Sequence, residues 1–221
     1  MEKRIIDLTY NIEEEMMVYP GLPKPVIEKI ATIEKEGCNT SMLTFSSHIG
    51  THIDAPRHFF KSGESIDKVS LHRLAGEAVL IDLSGKNEGS LITVSDLVPF
   101  EGLIHKGDIL LLNTGIYKSY GKPEFNPKFP TLNIDAARWI IRKGIVAFAT
   151  DALSVDPIGD KEMMIHHTLL GEGLPIIENL ANLVQIRKDR FLFIALPLKI
   201  KDGDAAPCRA IAVEEEVQAH Y

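Results

Sequence analysis

The chain has 221 residues, 25 % of them charged and 45 % hydrophobic, which suits one globular domain spanning 1–221 around a sizeable core. Its 31 acids outnumber its 24 lysines and arginines, giving a net charge of −7. That balance excludes nucleic acid and anionic membrane surfaces as expected partners, because both are held through cationic side chains.

The opening MEKRIIDLTY has the features of neither a secretory signal nor an Arg-rich transit peptide. No apolar run approaches the roughly 18 residues that a membrane helix needs. Strand-like runs come first, at Arg4–Leu8, Val26–Ile33 and Ser41–Ser47. Between the first two lies MMVYPGLP, a proline-punctuated loop from which Tyr19 can line a pocket. A short helical piece at Val69–Leu74 precedes a strand at Ala78–Leu83, and another at Ser95–Phe100 precedes a strand at Asp108–Asn113. The clearest helix is Ile134–Lys143, with Asn133 as N-cap, Ala137, Ile140 and Ile141 on one face and Gly144 just past its end. A strand at Ile145–Thr150, a helix at Lys161–Leu170 and a strand at Phe191–Leu196 complete the series. Strands outnumber helices and alternate with them irregularly, which predicts an α/β fold with a mixed sheet. The two isolated cysteines, Cys38 and Cys208, form no CxxC pair and read as reduced thiols of a cytoplasmic protein.

Chemistry concentrates in two histidine clusters. The first, HIGTHIDAPRHF, puts His48, His52, Asp54 and His58 within eleven residues. Its β-branched residues, Gly50 and Pro56 make it a poor helix. In an extended segment His48, His52 and Asp54 share parity. A straight strand would still hold the outer two roughly 20 Å apart, at about 3.3 Å per residue. A tight bend at Gly50 is the cheapest way to bring all three to one ion. Two imidazoles and a carboxylate suit Zn²⁺, or Mn²⁺ or Fe²⁺ with other preferences, and leave a coordination position open for water. His58, beyond the Pro56 turn, has the spacing of either a fourth ligand or a proton-transfer group.

The second cluster, MMIHHTLLGEGLPIIENLANL, contains His166, His167, Glu172 and Glu178. Adjacent histidines point about 100° apart on a helix, so only one faces a given site. The apolar run LPII carries Glu178 inward on a short strand, where a carboxylate needs a partner such as a metal; a solvated helix end is the alternative. Asp151 and Asp156 in DALSVDP stand where functional groups gather, although Asp before Pro is also ordinary turn chemistry. Lys199 and Arg209 read as surface groups, and Asp202 and Asp204 around Gly203 are too few for a calcium loop. Neither GxSxG, nor GxxxxGK[ST], nor GxGxxG after a strand occurs, so serine-hydrolase, P-loop and dinucleotide readings lack support.

HIGTHIDAPRHF closely resembles the signature of the metal-dependent cyclase/hydrolase family that includes bacterial kynurenine formamidase and isatin hydrolase. The likeness continues through IIDLTYNIEEEM, VYPG, TGIY at 114–117, DALSVDP, the HH…IIEN segment and ALPLK…AAPCRA, in the family's order. It implies a swivelling β/β/α-type fold and a homodimer in which an N-terminal-loop aromatic, here Tyr19, shapes the substrate pocket. It also implies that His48, His52 and Asp54 bind one divalent metal, with Asp54 bridging to a second held by His166 and Glu178. The metal is Zn²⁺ in the formamidase branch and a single Mn²⁺ in the isatin branch. His58 becomes the proton-transfer residue. The implied activity is hydrolysis of a carbon–nitrogen amide bond in a small molecule, as in the arylformamidase reaction from N-formylkynurenine to kynurenine and formate. The alternatives are opening of a cyclic amide, imide or lactone on the same scaffold, or a metal- or ligand-binding protein without turnover. Where the formamidase branch carries Trp-Pro-Gly-Asp, this chain has Tyr19-Pro20-Gly21-Leu22.

Overall fold

The computed structural model describes residues 2–122 and 128–216. The chain opens with β1 (Glu2–Asp7). β2 (Val26–Ala31) and β3 (Thr40–Thr44) follow as an antiparallel ribbon around the single-turn α1 (Ile33–Glu36). Next come β4 (His52–Asp54), β5 (Ala75–Asp82), β6 (Leu91–Ile92), α2 (Val94–Leu97), β7 (Ile109–Asn113) and β8 (Thr131–Leu132). The last third holds α3 (Ile134–Arg142), β9 (Ala147–Thr150), α4 (Met164–Gly171), β10 (Ile176–Glu178), β11 (Arg190–Pro197) and β12 (Ala205–Glu216).

Eight of the strands form one sheet in the order β1-β12-β11-β5-β7-β9-β10-β4, and β12 also pairs with β4. That extra pairing closes the sheet into a barrel, with β1 attached outside the ring along β12. β5, β7, β9 and β10 run parallel to their neighbours in that series, and the remaining pairings are antiparallel. This is the mixed α/β arrangement that the sequence predicts.

Strand alternation divides the core in two. Ala78, Ile109, Leu111, Ala147, Ala149, Ile177, Phe193 and Ala212 fill the barrel interior with Ile53. The many alanines suit a narrow barrel, whose interior is filled by inward side chains. The opposite faces, with Val79, Leu110, Leu112, Phe148 and Ile176, pack under α3 and α4 against Ala136, Ile140, Leu169 and Leu170. Every residue of β7 and β9 is therefore buried, as in strands covered on both sides. Asn133 caps α3 as expected, its Oδ1 accepting the Ala136 N–H at 2.8 Å.

Several boundaries differ from the sequence reading. The helix expected from Lys161 starts at Met164, because Met163 sits in the left-handed region at φ 47°. Val69–Leu74 contributes only a single 3-10 turn at Leu71–Arg73. β12 is absent from the sequence series altogether. The β2–β3 ribbon has the predicted strands but buries none of their residues. No helix among the described residues is long and apolar enough to cross a membrane.

One half-buried ion pair ties β11 to the loop before β7. Asp108 accepts two hydrogen bonds from Arg190, at 2.6 and 2.9 Å, and one from the His105 N–H at 2.7 Å. Burial opposes its charge, but Arg190 and His105 hold its carboxyl below the usual value. A lowered folded pKa gives stability that is present above the unfolded value and lost as pH falls through the folded one. Asp108→Asn is therefore expected to cost about 2 kcal/mol at pH 7, with the gap to wild type narrowing below about pH 4. Urea titrations of both proteins at pH 7, 5 and 3 measure this; a gap independent of pH contradicts it.

Candidate metal centre

The site is built on β4 and the strand beside it. Ile53 points into the barrel, so His52 and Asp54 point outward, and Ile177 sorts Ile176 and Glu178 the same way. In the antiparallel register Glu178 pairs with His52 and Ile176 with Asp54, which sets Glu178 and His52 side by side on one face. The α4 helix covers that face and lowers His166 onto it. His167, one step round the helix, is exposed, packing its ring on Phe59 and Phe60. Upstream, the chain bends at Gly50, where φ is +54°, and returns His48 to the same place. The bend expected at this glycine is there.

Asp54 is the hub. Its Oδ1 lies 2.8 Å from His48 Nδ1 and 3.3 Å from His52 Nε2, while its Oδ2 lies 3.5 Å from His166 Nε2. Glu178 spans the same gap, Oε2 at 3.5 Å from His52 Nε2 and Oε1 at 3.4 Å from His166 Nε2. The approach of His48 to Asp54 is close but not aligned as a hydrogen bond. Among the described residues, both Asp54 oxygens and His52 Nε2 are consequently buried without a hydrogen-bond partner. Buried polar atoms left unpaired in a group are costly. A divalent cation satisfies all three, and three imidazoles with two carboxylates are the donor set such an ion prefers. The residues present fit a metal. Two sets of donor atoms lie within 4.8 Å of one another, His52–Asp54–Glu178 and His48–Asp54–His58, so His58 also stands at the centre.

Each inner histidine hands its other ring nitrogen to an oxygen. His52 Nδ1 donates to the Gly50 carbonyl at 2.8 Å, His166 Nδ1 to Asp156 Oδ2 at 2.6 Å, and His48 Nε2 to Asp204 Oδ2 at 2.9 Å. Such partners fix the ring and leave the remaining nitrogen to face the centre. Burial opposes protonation of these rings, but the facing carboxylates win. Asp54 and Asp204 raise His48 to about 10, and Asp156, Asp54 and Glu178 raise His166 to about 12. Asp54 is held well below the usual carboxylate range against its burial, chiefly by His48 and His52. His58 goes the other way: burial, with His48 and His166 beside it, takes it down to about 4.

The centre opens into a cavity of about 220 Å³, walled on its outer side by Met17, Val18, Tyr19, Leu22, Phe59 and Leu153. Tyr19 is among the residues that line it.

The Cyclase family model matches residues 6–157 of this chain. Kynurenine formamidase from Bacillus cytotoxicus is 35 % identical over 210 residues, covering 93 % of this chain and 95 % of its own. Among solved structures, isatin hydrolase A from Labrenzia aggregata superposes with a TM-score of 0.89 at 27 % identity, covering 97 % of this chain and 94 % of its own. A predicted metal-dependent hydrolase from Bacillus stearothermophilus gives a TM-score of 0.82 at 30 % identity, covering 97 % and 100 %. The chain belongs to the cyclase family. It is a hydrolytic enzyme of that family, and its small-molecule-sized cavity is in keeping with those relatives.

Two residues of this cyclase-family site are weak or absent in the sequence reading. Asp204 sets His48 and lies 3.8 Å from His58 Nδ1. It is 156 residues from His48 in sequence and arrives only because Ala205 pairs with Asp54 in the β12–β4 ladder. Asp156 accepts the backbone N–H groups of Ile165 and His166 besides the His166 ring, so it anchors the first turn of α4. The SVDP turn and an early-helix histidine carry that signal only in combination. Asp151 stays outside the centre, collecting the N–H groups of Thr114, Gly115 and Ile116. Glu172 and Lys199 are exposed, and Arg209 forks onto Asp7 at 2.6 and 3.0 Å.

Proposed function

We propose that this cavity hydrolyses a carbon–nitrogen amide bond of a small aromatic molecule with a divalent metal, in the manner of an arylformamidase. The observation that carries the reading is the unpaired buried trio of His52 Nε2 and the two Asp54 oxygens, facing Glu178 and His166. His48 Nδ1, His52 Nε2 and Asp54 Oδ1 would hold one ion; Asp54 Oδ2, His166 Nε2 and Glu178 would hold a second. Asp54 Oδ1 standing nearest His48 and His52, and Oδ2 nearest His166, supports this division, while Glu178 Oε2 also lies 3.5 Å from His52 Nε2 and stands between the two positions. Zinc is the proposed metal, and a single manganese the alternative. When bound, such an ion polarises a carbonyl oxygen and makes water acidic near neutral pH.

The protein's own part is to hold the substrate and move a proton. Met17, Tyr19, Leu22 and Phe59 offer an apolar wall for an aromatic ring. His58 Nδ1 faces Asp204, which leaves Nε2 to serve the reaction. A neutral imidazole there can take a proton from the attacking water and return it to the departing nitrogen. The nitrogen needs that proton because an amide anion is too basic to leave.

Ring opening of an isatin-like lactam is a second reading. Leu22 beside Tyr19 favours it, since a wall without a carboxylate offers nothing to the charged amino-acid end of N-formylkynurenine. Assays of zinc- and manganese-loaded protein against N-formylkynurenine, formanilide and isatin separate the two. Turnover of formanilide or N-formylkynurenine supports the first reading, isatin alone supports the second, and no turnover with either metal contradicts both. We further propose that the chain acts in the cytoplasm as a homodimer. Support comes from its free Cys38 and Cys208, and from the exposed Val26, Ile30, Met42 and Leu43 of the β2–β3 ribbon, which a second copy can cover.

A further inference from the structure

One polar residue on the cavity wall has no task in the metal centre. Asn179 directly follows Glu178, lines the cavity near Gly50 and Ser154, and is only 6 % exposed. Its backbone is pinned from both sides. The N–H donates to the Ala152 carbonyl at 3.0 Å, and the carbonyl accepts the Thr51 hydroxyl at 2.6 Å. Its φ is +57°, a left-handed conformation that favours glycine. Yet its side-chain carboxamide makes no hydrogen bond among the described residues, and Oδ1 is buried without a partner.

The neighbouring Asn182 is the natural comparison. It too is left-handed, at φ +58°, but its carboxamide donates to the Asp7 carbonyl at 2.9 Å. Asn182 is thus a turn residue with a local partner, and Asn179 has the same strain without one. Met163, left-handed at φ +47°, lines the same cavity, so two of the four non-glycine residues with positive φ among the described residues line it. Strain of this kind gathers where a ligand is clamped. Glycine at 179 would keep the left-handed backbone and remove the unsatisfied carboxamide. The residue lines the cavity, and a turn of its carboxamide brings Oδ1 within reach of whatever fills it.

We propose that Asn179 is a specificity-determining residue whose carboxamide hydrogen-bonds the amide group of the bound substrate, its Oδ1 accepting the substrate N–H. The proposal rests on the amide-hydrolase reading above. The terminal torsion of asparagine is soft, so Oδ1 turns to the cavity at small cost. An amide supplies the N–H donor that this atom lacks, and the corresponding ester does not.

Asn179→Gly tests this, because glycine keeps the left-handed backbone. Metal-loaded wild type and variant are compared on formanilide and on phenyl formate, corrected for spontaneous hydrolysis. Metal content and melting temperature are measured alongside. Binding of 2-aminoacetophenone, which has an N–H donor and no hydrolysable bond, is followed by calorimetry. The expected result is a loss of about 10- to 100-fold in kcat/KM on formanilide, mostly in KM, with less than about a 3-fold change on phenyl formate. Metal content stays the same, the melting temperature holds or rises, and 2-aminoacetophenone binds about tenfold more weakly. Equal losses on both substrates, or loss of metal, would overturn the proposal by making Asn179 a shaping residue or a ligand. Unchanged binding of 2-aminoacetophenone overturns it whatever the turnover. If wild type hydrolyses neither substrate while that binding still weakens in the variant, the hydrolase reading fails and the role of Asn179 stands.

Discussion

Asp54→Ala is expected to lower kcat/KM by about 10⁴-fold or more and to leave the protein without bound metal. Among the described residues, no other carboxylate in the centre lies beside three histidines. Its Oδ1 meets His48 and His52, and its Oδ2 meets His166, so removing it takes a donor from both proposed ion positions at once. The barrel does not depend on it, because the neighbouring Ile53 supplies the inward contact of β4. Circular dichroism should therefore match wild type while activity and metal disappear together. A folded Asp54→Ala that keeps metal and turnover contradicts the hub assignment.

His58→Ala is expected to separate those two losses. The proton-transfer role predicts a fall in kcat of about 10²- to 10⁴-fold with metal content unchanged. The deficit should shrink on a 4-nitro-substituted formanilide, whose less basic leaving nitrogen needs less help from an acid. His58 packs its ring 4.1 Å from His48 and 4.5 Å from Phe59, centroid to centroid, so it stands at the centre by contact with its neighbours. Its donor atom also lies in a cluster with His48 and Asp54. If His58→Ala loses metal as His52→Ala does, His58 is a ligand and the proton route needs another residue.

What the sequence makes legible follows from how local each signal is. The strands of the inner sheet are short apolar runs between turn residues, and five of them, β1, β5, β7, β9 and β11, stand close to where the sequence puts them. The Asn133 cap and the alanine-isoleucine face of α3 are equally local. β12 escaped because Pro207 near its start and the run of glutamates at its end are poor strand signals, and its pairing with β11, β1 and β4 alone holds it extended. The same strand closes the barrel and delivers Asp204, so missing it hides both.

The site divides along the same line. Gly50, with histidines of equal parity around it, makes the His48–Asp54 bend readable from a single stretch. Glu178 is readable as a carboxylate at the end of an apolar strand, but its place opposite His52 depends on the β4–β10 register. Asp156 looks like a turn residue in the sequence, and Asn179 carries no signal there beyond following Glu178. One becomes the partner of the His166 ring and the other an unsatisfied carboxamide on the cavity wall only when the fold closes around them.

The account stands on the buried centre being a metal site. Elemental analysis of protein purified without chelator or affinity nickel, beside His52→Ala prepared identically, tests that most directly. The expected result is about two equivalents of zinc in wild type, or about one of manganese if the isatin-like arrangement holds, and a loss of most of it in the variant. Wild-type protein that carries no transition metal, and takes none up on reconstitution with zinc or manganese, would contradict the account.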